Sequence, residues 1–213
     1  MLTEGEKLLV FQNELLIQAV GLVVSRLTVK AQALYALSLK EHGQVSELLS
    51  RPKSCLEIPE LYNALSDRLG LEAACNELIS WKKRGINVVA LGQELYPSRL
   101  RTIYQPPPLL FYKGDLRTDF EQVCTVAIVG SRRADSYGCD LAHRFGCEVS
   151  LRGGCVVSGL ALGVDASAHR GALEGGSSTW PTMAVLGNGL ADIYPAVHHH
   201  LADEILKLSL IHI

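Results

Sequence analysis

Three stretches decide the fold: Val126-Ala127-Ile128-Val129-Gly130-Ser131-Arg132-Arg133, Val156-Val157-Ser158-Gly159-Leu160-Ala161-Leu162-Gly163-Val164-Asp165, and Val185-Leu186-Gly187-Asn188-Gly189. In each, a run of apolar residues passes directly into a turn that carries glycine. Apolar runs without alternation mark strands buried on both faces. Helix-length segments separate them, so from residue 121 the pattern reads β-α-β-α-β-α. That alternation predicts an α/β unit, a parallel sheet with covering helices. The expected strands are 123–129, 155–157 and 183–186, and the expected helices are 137–151, 165–173 and 198–208.

Upstream the pattern changes. Residues 1–80 read as a small all-helical domain. Thr3 followed by Glu6 is a capping-box pattern that would open a helix through Leu8, Leu9, Leu15, Leu16 and Ala19. Apolar periodicity continues at Ala31, Leu34, Tyr35, Leu37 and Leu39, at Leu48 and Leu49, and at Leu61, Leu65 and Leu69, with loops marked by Gly43, Arg51-Pro52 and Gly70. Residues 81–120 read as a linker and entry segment. Trp81-Lys82-Lys83-Arg84-Gly85 ends a helix and Ile86 to Ala90 is a short strand. Tyr96-Pro97 and Pro106-Pro107-Pro108 exclude helix, and Leu109 to Tyr112 is extended before a turn at Lys113-Gly114-Asp115. The basic triplet at Lys82 suits a solvated helix end better than a phosphate contact.

The chain has 213 residues, 48% hydrophobic and 20% charged, which suits a globular protein of one large or two small domains. Its 20 basic and 22 acidic residues leave a formal charge of −2, so no broad positive field exists to hold nucleic acid or an anionic membrane. Any polyanion site must be local. Residues 1–120 carry 14 basic and 13 acidic groups, and residues 121–213 carry 6 and 9. The six cysteines, Cys55, Cys75, Cys124, Cys139, Cys147 and Cys155, form no C-x-x-C pair, and the N-terminus has no signal-peptide pattern. A reduced, cytoplasmic protein without membrane span or cofactor is expected. His198-His199-His200 lacks metal-ligand spacing and is expected to be solvated at a helix start.

In a parallel sheet the three glycine turns fall on one edge, at the carboxyl ends of the strands. There helix N-termini present unpaired N–H groups, and glycine lets an anion approach them closely. The turns therefore predict an anion-binding crevice. G-x-G-x-x-G and G-x-x-x-x-G-K-[ST] are both absent, so neither a dinucleotide nor a P-loop site is indicated. Arg132 is placed to clasp a phosphate; Arg133 either joins it or faces solvent. Asp165 sits where an N-cap belongs, and His169 lies one helical turn on. The two share a face as a possible acid–base pair, but no nucleophile stands beside them in sequence, and a structural role is the expectation.

These residues resemble the DNA-processing protein A family (DprA, also called Smf) of bacterial natural transformation. The likeness lies in Val126 to Arg133 with Tyr137-Gly138, in Ser158-Gly159-Leu160-Ala161 through Asp165, Ala168-His169 and Ala172-Leu173, and in Val185 to Gly189 with Ile193-Tyr194-Pro195. Tyr96-Pro97, Leu100, Pro107-Pro108 and Gly114-Asp115 resemble that family's entry segment. The resemblance implies a Rossmann-like domain that binds single-stranded DNA, helps load the RecA recombinase and works as a homodimer, with no chemical step. Carried over by position, Gly130, Ser131 and Arg132 would contact phosphate, and Gly159, Gly163, Gly187, Asn188 and Gly189 would wall the pocket. The family often carries basic side chains after the Tyr-Pro pair, where this chain has Ala196, Val197 and His198 to His200, which implies weaker or more pH-sensitive binding.

The resemblance also predicts a further half of the central domain. The expected organisation is a SAM-like or helix-hairpin-helix-like domain at 1–80, similar to the family in kind only, then the entry segment at 81–120. A partial Rossmann-like domain follows at 121–207, with an unmatched tail at 208–213 and an unpaired edge on the last strand. The main alternative is a phosphoribohydrolase-like enzyme using the same crevice for a nucleoside monophosphate, against which stands the absence of its P-G-G-x-G-T-x-x-E pattern. A third reading has the helical region binding a protein partner.

Overall fold

The computed structural model describes residues 4–42, 44–50, 58–116, 122–176, 179–208 and 210–212. The chain divides into two units, Met1–Leu110 and Phe111–Ile213.

The first unit holds helices α1 (Glu4–Ser25), α2 (Val29–His42), α3 (Val45–Ser50), α4 (Pro59–Ser66) and α5 (Arg68–Lys83), strand β1 (Asn87–Ala90), the helical turn α6 (Ser98–Arg101) and the start of β2 (Leu109–Gly114). Helical spacing puts Ala19, Val20 and Val24 of α1, Ala31 and Tyr35 of α2, Leu48 of α3, Leu61 and Leu65 of α4, and Leu71, Ala74 and Leu78 of α5 inside. Thr3, Gly43, Arg51, Pro52 and Cys55 lie outside the described residues. Two expectations fail at one point. Leu69 is exposed and Gly70 lies within a helix, because Asp67 breaks the apolar stripe: its side chain accepts the Gly70 N–H at 3.1 Å and caps a new helix there. At the other end α5 stops at Lys82-Lys83, and Gly85 takes a positive φ of 73°.

The segment expected to be a linker is largely built into this unit. Tyr96 is buried and its hydroxyl donates to the Pro107 carbonyl at 2.9 Å. Leu91 N–H donates to the Pro108 carbonyl at 3.0 Å beside β1, and Gly21 of α1 packs so closely on Pro108 that a Cβ there would meet its carbonyl at 2.9 Å.

The second unit is the α/β layer. It runs β3 (Thr125–Ala127), α7 (Ser136–Leu151), β4 (Cys155–Ser158), α8 (Val164–Gly175), β5 (Thr182–Val185), a 3-10 turn (Ala196–His198), α9 (His199–Leu208) and β6 (Leu210–His212). Within it the strand order is β2-β6-β5-β4-β3. β3 to β6 are parallel, with Val126 opposite Val156 and Val157 opposite Met183, and β2 runs antiparallel to β6. Side chains alternate across the sheet. Val156 joins Ala142, Ala168 and Ala172 on one face, and Cys155 joins Trp180 and Met183 on the other. α7 and α8 cross at near backbone contact, since Gly146 lies on the Ala168 carbonyl and Gly171 on the His143 carbonyl.

Three expectations are corrected here. β3 is shorter than 123–129 and, as the edge strand among the described residues, is only partly covered, with Val129 exposed. β5 is not an edge, because β6 pairs beside it. The tail at 208–213, expected to be unmatched, holds the end of α9 and that strand at Leu210–His212.

Candidate functional site

The carboxyl ends of β3, β4 and β5 bring the three glycine turns together. The first two interlock through backbone contact. Gly163, at φ 75°, lies against the Ser131 carbonyl, and the Val164 N–H donates to that carbonyl at 3.3 Å. Gly130 lies against Val164, where a Cβ would meet the valine side chain at 2.9 Å. Between them sits Asp165. It is not the N-cap; Gly163 takes that place and Asp165 is one residue inside α8. Its carboxylate accepts the Gly159 N–H at 3.0 Å and the Gly130 N–H at 3.4 Å, clipping the second turn to the first. Those two amides, expected to face an anion, are thus held by the protein's own carboxylate.

A cleft of about 270 Å³ opens beside this clip, lined by Arg132, Gly159, Ala161, Leu162, Gly187, Asn188, Tyr194 and Pro195. All three turns contribute. Of the residues expected from sequence, Arg132, Gly159, Gly187 and Asn188 line it; Gly130, Ser131, Arg133, Gly163 and Gly189 do not. Ser131 Oγ accepts the Arg133 N–H at 3.0 Å and so shapes its own turn, while the Arg133 side chain is exposed. Gly163 is the packing point just described, and nothing lies within 4 Å of a Cβ built on Gly187 or Gly189. Asn188 Nδ2 donates to the carbonyls of Asp192, at 2.8 Å, and Gly189, at 3.1 Å, which fixes the third turn.

The acid–base reading of Asp165 and His169 does not survive the geometry. His169 is fully buried, and its Nδ1 lies 2.6 Å from Thr182 Oγ1. Thr182 Oγ1 donates to the Val156 carbonyl at 2.9 Å, so it accepts from His169, which places the imidazole proton on Nδ1. Nε2 has no hydrogen-bond partner among the described residues. Burial, helped by the charges of His198 and Arg170 against the pull of the Ser158 main chain, drives its pKa down to about 3. Ser158 is committed as well, its Oγ donating to the Ile128 carbonyl at 2.6 Å. Neither residue is an activated nucleophile or base. Among the described residues there is also no group of three or more His, Cys, Asp or Glu able to hold a metal, and no helix long and apolar enough to cross a membrane.

The histidine triplet is split. His199 and His200 are exposed, as expected, but His198 is buried, with Nδ1 2.8 Å from the Leu160 carbonyl. Since that partner can only accept, His198 donates. Leu160 is itself fully buried at a positive φ of 58°, so the second turn is held from behind by the last residue of the 3-10 turn before α9.

A profile of the DNA recombination-mediator protein A family matches residues 87–212. The chain belongs to that family. It is 30% identical over 167 residues to the DNA processing protein DprA of Bacillus subtilis, covering 73% of this chain and 55% of the relative. It is 41% identical over 112 residues to the Streptococcus pneumoniae DprA, covering 53% of this chain and 38% of the relative. The chain thus spans about half the length or less of these relatives. The X-ray structure of the S. pneumoniae DprA superposes with a TM-score of 0.61 at 27% identity, over 90% of this chain and 64% of that one. The Helicobacter pylori DNA processing protein A, whose structure was described for its single-stranded DNA binding mode, superposes with a TM-score of 0.50 at 29% identity, over 60% of this chain and 54% of that one.

Within this DprA fold, Ala161, Leu162, Tyr194 and Pro195 are the cleft residues that site reasoning from sequence left out. For the last two the signal was present in the Ile193-Tyr194-Pro195 motif, but only the path of the chain from β5 to α9 brings that motif to the same cleft as Arg132.

Proposed function

We propose that the cleft binds single-stranded DNA through its phosphodiester backbone and that the protein acts in DNA processing during natural transformation, without a chemical step of its own. One observation carries this reading: Arg132 shares a cleft with the glycine turns of β4 and β5, and the nearby hydroxyl, carboxylate and imidazole that a hydrolase would need are spent on backbone and core hydrogen bonds. A guanidinium recognises a phosphate oxygen pair bidentately. Membership of a family named for mediating recombination supports loading of RecA onto the bound strand, by a homodimer, as the outcome. With the net charge at −2, affinity rests on few contacts and not on a basic surface.

Fluorescence anisotropy with a labelled oligo-dT tests the reading. Binding is expected to weaken as salt rises, because neutralised phosphates release counterions. Arg132→Ala should weaken binding and reduce the slope of log K against log salt by about 1. Wild-type affinity in Arg132→Ala would overturn the phosphate role. RecA loading is tested by the lag of RecA assembly on the same oligonucleotide, which the protein should shorten, and the homodimer by light scattering.

A further inference from the structure

Helix α7 lies against α8 and β4, and β3, which leads into it, is the edge strand among the described residues. Its outer flank is left open. Two rows of side chains at four-residue spacing run along that flank. One is apolar: Tyr137, 73% exposed, Leu141, half-buried, and Phe145, 56% exposed. The other alternates in charge: Asp140, Arg144, Glu148 and, at the helix cap, Arg152, all exposed. A shallow groove of about 480 Å³ follows the flank, and the described residues lining it, Leu141, His143, Arg144, Phe145, Cys147 and Glu148, all belong to α7. No second element among the described residues closes it.

Spacing and alternation of sign together make this flank complementary to itself. With two copies antiparallel about a two-fold axis at the level of Gly146, Arg144 meets the partner's Glu148 and Asp140 meets the partner's Arg152, and symmetry repeats both pairs. Every charge of the row then finds the opposite sign. A shift of one turn either way sets Arg144 against the partner's Arg144, or Glu148 against the partner's Glu148, and a parallel pairing sets each charge against its own copy. The row thus selects one register and one orientation. Rows spaced by four lie side by side when two helices cross at about −50°, the commonest packing class. In that crossing the apolar rows meet as well, with Phe145 nearest the axis.

We propose that the outer flank of α7 pairs with the same flank of a second copy of the chain. This rests on the homodimer reading above, to which it gives a surface, and is independent of what the cleft binds. A helix of 16 residues is about 24 Å long. One such flank is small beside the roughly 800 Å² per partner of a standard interface, so the dimer is weak and reversible. Exposed charge pairs add little attraction, so the charged row chooses the register while the aromatic row supplies most of the affinity.

Sedimentation velocity between about 1 and 200 μM reads the equilibrium, and wild type should pass from monomer towards dimer across that range. Arg144→Glu alone and Glu148→Arg alone each bring like charges together and should weaken dimerisation about tenfold or more. Mixed in equal amounts, the two variants should form a heterodimer at least as tight as the wild-type dimer, because each supplies the sign the other lacks. The chain carrying both substitutions should recover in the same way. Phe145→Ala should weaken self-association with its melting temperature unchanged, since the ring is exposed. A mixture that dimerises no better than either variant alone would overturn the pairing. Dimers indifferent to both charge reversals would also overturn it, while leaving the homodimer on another surface. A wild type that stays monomeric throughout would overturn this surface and the homodimer reading together, leaving the flank to a different protein, and oligonucleotide binding would still decide the cleft on its own.

Discussion

Asp165 Oδ2 accepts the backbone N–H of Gly159 at 3.0 Å, and its other oxygen reaches Gly130 at 3.4 Å, so one buried carboxylate joins the ends of two parallel strands. Hydrogen bonds to a charged acceptor are stronger than neutral ones, and stranding a buried amide is costly. Asp165→Ala should lower unfolding stability by about 2–4 kcal/mol, two such bonds at roughly 1–3 each with partial relaxation, and Asp165→Asn by less because one oxygen remains. Urea midpoints at constant m-value check this; an unchanged midpoint in Asp165→Ala would show that the clip does not stabilise the fold.

The glycines of the turns should separate into two groups. Gly163→Ala meets both a positive φ and the Ser131 backbone, so a loss of about 1–3 kcal/mol is expected. Gly187→Ala points its methyl into open space, and its effect on stability should stay within about 0.5 kcal/mol. Thermal melts of the two variants side by side decide it. Equal losses would mean that the turns are not held as described.

Where α7 crosses α8, Gly171 leaves no room for a Cβ against the His143 backbone. Gly171→Ala must push the helices apart, and overpacking of this kind costs about 1–3 kcal/mol or more. The helix propensity gained from alanine, about 1 kcal/mol, acts in the opposite direction and is the smaller of the two. A variant more stable than wild type in urea would contradict the close crossing.

His169 makes stability depend on pH. Its folded pKa is lowered to about 3 from the ordinary 6.5 of histidine, so between those values the unfolded chain binds a proton that the native protein excludes. The stabilisation is fully present above pH 6.5 and declines as pH falls towards 3, at a slope of at most about 1.4 kcal/mol per pH unit. His169→Asn, whose side-chain amide can still donate to Thr182, should flatten the fall in melting temperature between pH 6.5 and 5. An equally steep decline in the variant would assign it to other groups.

The alternation of strands and helices in the second unit was legible because its periods differ and each apolar run meets a glycine. The crevice was legible for the same reason, since the carboxyl ends of parallel strands share an edge. What could not be read were relationships that only tertiary structure creates. Asp165 has the sequence signature of a cap, and its use as a clip depends on where Gly130 lies, 35 positions upstream. His198 differs from His199 and His200 only in facing the back of the second turn. β3 has the composition of a central strand but sits at an edge among the described residues, because β2, which precedes it in the chain, pairs with β6 instead. Leu69 marks the one error open to closer reading: Asp67 three residues before Gly70 is itself a helix-start signal.

The Asp165 clip also shapes what kind of anion the cleft can favour. A carboxylate already neutralises the two amides that a free phosphate would otherwise seek, so an isolated mononucleotide meets a half-satisfied site and gains little from it. A polymer does not depend on any single site. Successive weak contacts on one strand act at high effective concentration and sum to firm attachment while each remains quick to release. On the single-stranded DNA reading proposed above, the internal carboxylate thereby leaves fewer free amides for a small anion and favours a polymer that makes several contacts at once.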